Sequence, residues 1–250
     1  MTSSALFVGL DNFKELLQDK YFFNAVANSF KYMLMAVPLQ LVISLALAYI
    51  FNSILKKGAT FFRTVFFLPV ITTASIVGII MMFIFGGTGS INQFLSLFGV
   101  RGLNWLGNTN TALIVVVLIG VWKDSGTFMI YWLAALQSVS QDVYEAATID
   151  GASRWTIFRK IVFPISKPTL SVMLVFFFIW TWNEYMIPMA FLIDNSTQTI
   201  PIAVSSLTGD RLMDVTTTAA ASLISIVPTL IFYLIFQRTL SRGITAGAVK

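Results

Sequence analysis

Cysteine and histidine are both absent from this chain of 250 residues. Without cysteine there is no disulfide and no thiol nucleophile. Without histidine there is no imidazole base, and the two absences together remove most transition-metal ligand sets, so no metal site is expected. Charge is scarce too: 11% of residues are Asp, Glu, Lys or Arg, against about a quarter in soluble domains. What is present is apolar, with 57% hydrophobic residues and a mean hydropathy of +0.82. Apolar stretches of roughly 20 residues recur, each long enough to cross a hydrocarbon core. The fold class is therefore an all-α polytopic membrane protein. A transmembrane barrel would alternate over ~10-residue segments, whereas these runs are continuous. The net charge of +5 does not call for nucleic acid, because basic excess in a membrane protein marks cytoplasmic loops.

Residues 1–28 are amphipathic: Phe7, Leu10, Phe13, Leu16 and Leu17 recur at helical spacing among charged residues, with Asp11 as the expected N-cap. This segment is expected to lie along the outer face rather than to span. Five spans follow, over Tyr32–Phe51, Val65–Phe85, Ala112–Leu136, Thr169–Ile193 and Thr216–Phe236. The second is kinked or entered at Pro69, and the loop after it, 87–110, holds a short helix over Ile91–Phe98. The stretch 194–215 reads as a loop.

Basic residues sort the loops. Lys56, Lys57, Arg63, Arg154, Arg159, Lys160, Lys167, Arg238, Arg242 and Lys250 fall on one side; Lys14, Lys20, Lys31, Arg101 and Arg211 fall on the other. The richer side is expected to be cytoplasmic, together with the C-terminus. Five spans then place the N-terminus outside. Met1-Thr-Ser-Ser opens no basic and apolar leader, so a further span ahead of Met1 is expected.

Between the third and fourth spans lies a polar island, 137–167. Ser140 can start a short helix with Asp142 in its first turn, and Gly151 suits the left-handed residue that ends it. Ser153 can cap a second helix, which Pro164 and Pro168 are expected to end. The local chemistry gives helix, glycine turn, helix. It leaves open whether this elbow is a connector or a knob that docks into a soluble partner.

The pattern Glu145-Ala146-Ala147, Asp150-Gly151-Ala152, Phe158, Ile161, Pro164 resembles the EAA signature of ATP-binding-cassette importer permeases. Phe7-Val-Gly-Leu-Asp-Asn-Phe13, Leu68-Pro69, Trp182-Asn183-Glu184 and the tail from Arg242 are similar to the carbohydrate-uptake branch, the maltose, lactose and glycerol-phosphate permeases. The resemblance implies a single type I importer transmembrane domain over 1–250, in the bacterial plasma membrane. It implies that Glu145, Ala146, Ala147, Asp150, Gly151, Ala152 and Arg154 form a cytoplasmic coupling helix seated on an ATPase. The implied partners are a second homologous permease, two ATPase subunits and an extracytoplasmic solute-binding protein, in membrane lipid. No G-x-x-x-x-G-K-[ST] phosphate loop occurs in the chain. No cofactor is therefore expected in the chain itself; ATP and magnesium belong to the partner ATPase, and the chain is not an enzyme.

A charge in mid-span must face protein, water or ligand. Asp124 and Thr127 share a face with Gly120, and Phe177, Thr181 and Glu184 share another. Lys123 and Asp124 are about 100° apart on a helix, which argues against direct pairing. The set Lys123, Asp124, Thr127, Phe177, Thr181, Glu184 and Tyr185 is the expected substrate path: carboxylates accept polyol hydroxyls and rings stack on sugar CH faces. The same residues also suit helix-to-helix bonding. Two other readings are a proton-coupled secondary transporter using Asp124 and Glu184, and the same importer fold carrying a non-sugar solute.

Overall fold

The computed structural model describes residues 7–55, 57–137, 139–210 and 215–248. Among them there are twelve α-helices and no strand. Five helical stretches are long and apolar enough to cross a membrane: Lys20–Asn52, Ala74–Ser96, Thr111–Gln137, Leu170–Phe191 and Val215–Gln237. The chain forms two compact units, one of residues 1–34, 74–117 and 182–230, the other of 35–73, 118–181 and 231–250.

In the first unit, α1 (Asp11–Gln18) follows a turn at Gly9. Leu10, not Asp11, holds the capping position, and no side chain caps it; Asp11 sits in the first turn and pairs with Lys14 at 3.4 Å. The apolar face of α1 packs Leu16 with Phe22, Ala220 and Ala221. Asp19 cuts the expected amphipathic segment. Its Oδ1 accepts the amides of Tyr21 and Phe22 at 2.7 and 3.1 Å, which starts a new helix at Lys20.

That helix, α2 (Lys20–Tyr49), begins twelve residues before the expected start of the first span. Polar side chains in its first half are satisfied by a distant loop. Asn28 Nδ2 donates to the Ser196 and Gln198 carbonyls at 2.8 and 3.2 Å, and the Ile200 amide donates to Ser29 Oγ at 2.8 Å. With those bonds made, nothing stops the helix from running out past the apolar stretch.

The expected second span is two helices, α3 (Ala59–Ile71) and α4 (Ala74–Phe85). Pro69 lies in the last turn of α3, and the helix ends where Thr72 turns extended, so the apolar run breaks just past the proline. After α4 comes α5 (Ser90–Ser96), the short helix expected near Ile91. Buried Asn92 organises its loop: Nδ2 donates to the Gly86, Gly87 and Leu103 carbonyls, and Oδ1 accepts the Leu103 amide and Trp105 Nε1.

The long helix α6 (Thr109–Gln137) matches the third span, and α7 (Gln141–Ile149) and α8 (Arg154–Ile157) make the elbow. Helical backbone then continues through a π turn at Phe158–Val162 into α9 (Phe163–Trp182). Pro164 and Pro168 therefore do not end the second elbow helix. The widened turn lies directly ahead of Pro164, where the ladder lacks a donor. A second π turn, Ile50–Ile54, closes α2.

The fourth span also breaks, into α9 and α10 (Met186–Phe191), and α10 packs on α4 with Gly78 against Ala190. The stretch expected as a loop contains α11 (Ile200–Asp210), followed by α12 (Val215–Ala248). In the first unit Trp182 Nε1 donates to the Ser225 carbonyl at 3.0 Å, and its ring meets Phe30 edge-on at 5.0 Å. In the second, Phe178 stacks on Phe232 at 3.9 Å, and Gly126 of α6 lies against the Phe66 and Phe67 backbone of α3.

Candidate functional site

The elbow lies wholly within the second unit. Ser140 occupies the capping position of α7 in extended conformation, but its hydroxyl makes no capping bond. The helix ends in a closed double-bonded turn. The Ala152 amide donates to the Ala147 carbonyl and the Gly151 amide to the Thr148 carbonyl, each at 3.0 Å. Gly151 carries φ +77°, the left-handed conformation this Schellman arrangement demands. Ser153 then caps α8 as expected, its Oγ accepting the Thr156 amide at 3.2 Å.

The helix α7 has two unlike faces. Ala147 is buried and Tyr144 half-buried, both turned toward the unit. Glu145, Ala146 and Asp150 are exposed, and Ile149 beside them is 86% exposed. Gly151 is exposed and Ala152 half-buried. Arg154 belongs to α8, but its side chain lies outside the described residues. Trp155 adds a large ring, 68% exposed and stacked on Phe158 at 5.7 Å. The elbow thus offers a small-residue, acidic and apolar surface on a turn with a fixed bend.

Behind α7 is a recess of about 250 Å³ lined by Tyr49, Leu136, Tyr144, Thr148, Ile157, Phe158 and Val162. Burial raises the Tyr144 hydroxyl above its ordinary value, with the nearby Tyr49 adding to the effect. Thr148 Oγ1 is bonded back to the Tyr144 carbonyl at 2.7 Å.

The residues expected along a substrate path divide between the two units. In the second unit Lys123, Asp124 and Thr127 are half-buried on α6. Lys123 Nζ and Asp124 Oδ1 approach to 3.8 Å, so the neighbours do pair; the flexible lysine stem closes an angle that backbone geometry alone leaves open. Phe177 is fully buried against Phe128, and Thr181, 4% exposed, donates to Gln40 Oε1 at 3.4 Å. Both therefore pack the unit in this structure. In the first unit Glu184 Oε1 accepts the Ile187 amide at 3.1 Å, which starts α10 after the break, and the Tyr185 hydroxyl bonds Ser205 at 3.1 Å.

A model of the family described as binding-protein-dependent transport system inner membrane component matches residues 20–245. The chain belongs to this family. A probable ABC transporter permease of Bacillus subtilis is 38% identical over 171 residues, which are 67% of this chain and 55% of the relative. The trehalose/maltose transport system permease of Thermococcus litoralis is 35% identical over 171 residues, 68% of this chain and 57% of the relative. The chain thus spans a little over half the length of these relatives. A crystal structure of a bacterial ABC transporter involved in importing the acidic polysaccharide alginate superposes with a TM-score of 0.82 at 23% identity. The match covers 96% of this chain and 85% of that one. That likeness is one of fold, and it agrees with the importer transmembrane architecture expected from the elbow.

Three features of this family member escaped the sequence reading. Gln40, 1% exposed, was visible only as a polar residue inside a span. The meeting of Tyr49 and Tyr144 at one recess carries no local signal, because 95 positions separate the two in sequence. Asn92 gave none either, since an asparagine in a glycine-rich loop reads as an ordinary turn residue.

Proposed function

We propose that this chain is the membrane-spanning permease subunit of an ATP-driven importer, and that the elbow is its coupling element. The single observation that carries this reading is the face of Glu145, Ala146 and Ile149, exposed on a helix locked by the left-handed Gly151. A connector has no use for a fixed bend that displays apolar and small residues outward, whereas a docking helix needs all three. Family membership supports the same role. In this reading the elbow and C-terminus are cytoplasmic, and the exposed face seats on one of two ATPase subunits, which supply ATP and magnesium. A second, homologous permease completes the path.

The cargo is a sugar or related polyol delivered by an extracytoplasmic binding protein. The named cargoes of the similar proteins, trehalose or maltose and alginate, support this class. Half-buried Lys123, Asp124 and Thr127 offer charged and hydroxyl groups suited to polyol hydroxyls. Phe94 on α5 and Leu97 and Phe98 in the turn after it are 60%, 78% and 70% exposed, an apolar surface fit to receive the binding protein.

Co-purification in mild detergent tests the proposal. The expected result is recovery of an ATPase in stoichiometric amount, and hydrolysis stimulated by a sugar-loaded binding protein in liposomes. A lone chain that transports on a proton gradient without ATP would overturn it.

A further inference from the structure

The recess behind α7, about 250 Å³, lies wholly in the second unit. Tyr49, Tyr144 and Thr148 bring three hydroxyl-bearing side chains to its wall. Thr148 Oγ1 donates to the Tyr144 carbonyl at 2.7 Å, which leaves its oxygen able to accept. The two tyrosines are half-buried, and among the described residues neither phenol hydroxyl makes a hydrogen bond to protein. A polar group drawn out of water in this way calls for a partner. Leu136, Val162 and the ring of Phe158 add apolar wall, and among the described residues no charged side chain lines the hollow. Two π turns frame it. Tyr49 directly precedes the one at Ile50–Ile54, and Phe158 and Val162 begin and end the other. One-residue insertions of this kind gather at functional sites.

From this arrangement we infer a binding site for one small uncharged ring bearing several hydroxyls, the chemistry of a monosaccharide, held between the end of α2 and the elbow. The volume falls below the ~300 Å³ at which drug-sized pockets begin, so it takes one such ring. A sugar ring has apolar CH faces and a hydroxyl rim. Leu136, Val162 and Phe158 suit the face, while the phenols donate to the rim and Thr148 accepts from it. A charged ligand would lose its hydration with no countercharge in the wall. A purely apolar ring would leave both phenols cut off from water and unbonded. Because Tyr49 belongs to α2 and Tyr144 and Thr148 to α7, the occupant ties the elbow to a span. The site stands apart from the coupling role proposed above, and its test reads binding alone, so either can fail without the other.

Equilibrium dialysis of the purified full chain against radiolabelled glucose tests the site, in an amine-oxide detergent because alkyl maltosides carry a competing sugar. Saturable binding of one glucose per chain is expected. Cyclohexanol, a ring of similar size with one hydroxyl, should compete about tenfold less well. Tyr49→Phe and Tyr144→Phe should each weaken glucose about fivefold, the effect of one neutral hydrogen bond, and leave cyclohexanol unchanged. Thr148→Trp fills the recess and should abolish the binding of both. Thr148→Phe is a second filling variant should Thr148→Trp lose helix content by circular dichroism. With glucose bound, hydrogen exchange over 141–150 should slow, since the occupant ties α7 to α2. Cyclohexanol competing as well as glucose overturns the inference. So does glucose binding that survives the phenylalanine and filling variants, as binding elsewhere on the chain would, or the lack of saturable binding in the millimolar range.

Discussion

Gly151 is held by conformation alone: with φ +77°, a methyl group there would meet nothing within 4 Å. Gly151→Ala should therefore cost about 1–2 kcal/mol through backbone strain without a clash, and Gly151→Asn less, a ranking readable from thermal unfolding in detergent. Gly126 is the opposite case. A methyl there runs into the Phe66 carbonyl and Phe67 backbone, so Gly126→Ala must push α3 from α6 and should cost about 1–3 kcal/mol. The two alanines of the elbow also separate. Ala146→Arg falls on the exposed face and should leave stability within about 0.5 kcal/mol while uncoupling ATP hydrolysis from uptake in liposomes. Uptake unchanged by Ala146→Arg would sink the docking role. Ala147 is only 8% exposed, so Ala147→Glu should impair folding itself, by about 2 kcal/mol or more for a buried charge.

At the scale of elements, the turn after α10 is set by Asp194, whose Oδ1 accepts the Ser196 hydroxyl and amide at 2.5 and 2.7 Å. Those bonds, the hydroxyl first, hold its carboxyl below the ordinary 3.8. Because the folded value is depressed, the stabilisation is complete above the unfolded value and is lost as pH falls through the folded one. Hydrogen exchange over 194–199 should therefore lose protection below about pH 4, and Ser196→Ala should flatten that dependence. The elbow was largely legible in the sequence because its determinants are local: Gly151 as the left-handed residue and Ser153 as the cap. Pro69 marked the interruption of the second span in advance, but the break after Trp182 was not legible, because hydropathy averages over a window and stays high across a kink. Glu184 read as a path residue for the same reason. Its actual work, starting α10, appears only once the break is known. Burial of Phe177 and Thr181 depends on Phe128 and Gln40, which lie far away in sequence.

Across the whole molecule, four of the five boundaries between the compact units fall inside a helix, in α2, α6, α9 and α12. No flexible linker joins the units at those points; continuous hydrogen-bonded backbone does. Trp182 is the first residue past one boundary, and its indole bond to Ser225 lies wholly in the first unit. Trp182→Phe should cost about 1 kcal/mol, visible as a lowered unfolding temperature with helix content unchanged. The π turn at Phe158–Val162 has a consequence of another kind. A residue added to or removed from a regular helix rotates everything beyond it by about 100°, which would swing the elbow away from its facing. A π turn already stores one surplus residue, so its phase is locally adjustable. Deleting a single residue between 158 and 162 should be absorbed by reversion to ordinary α-helix, whereas the same deletion in mid-α9 should not. Length variation among natural relatives would then be expected to collect at this turn.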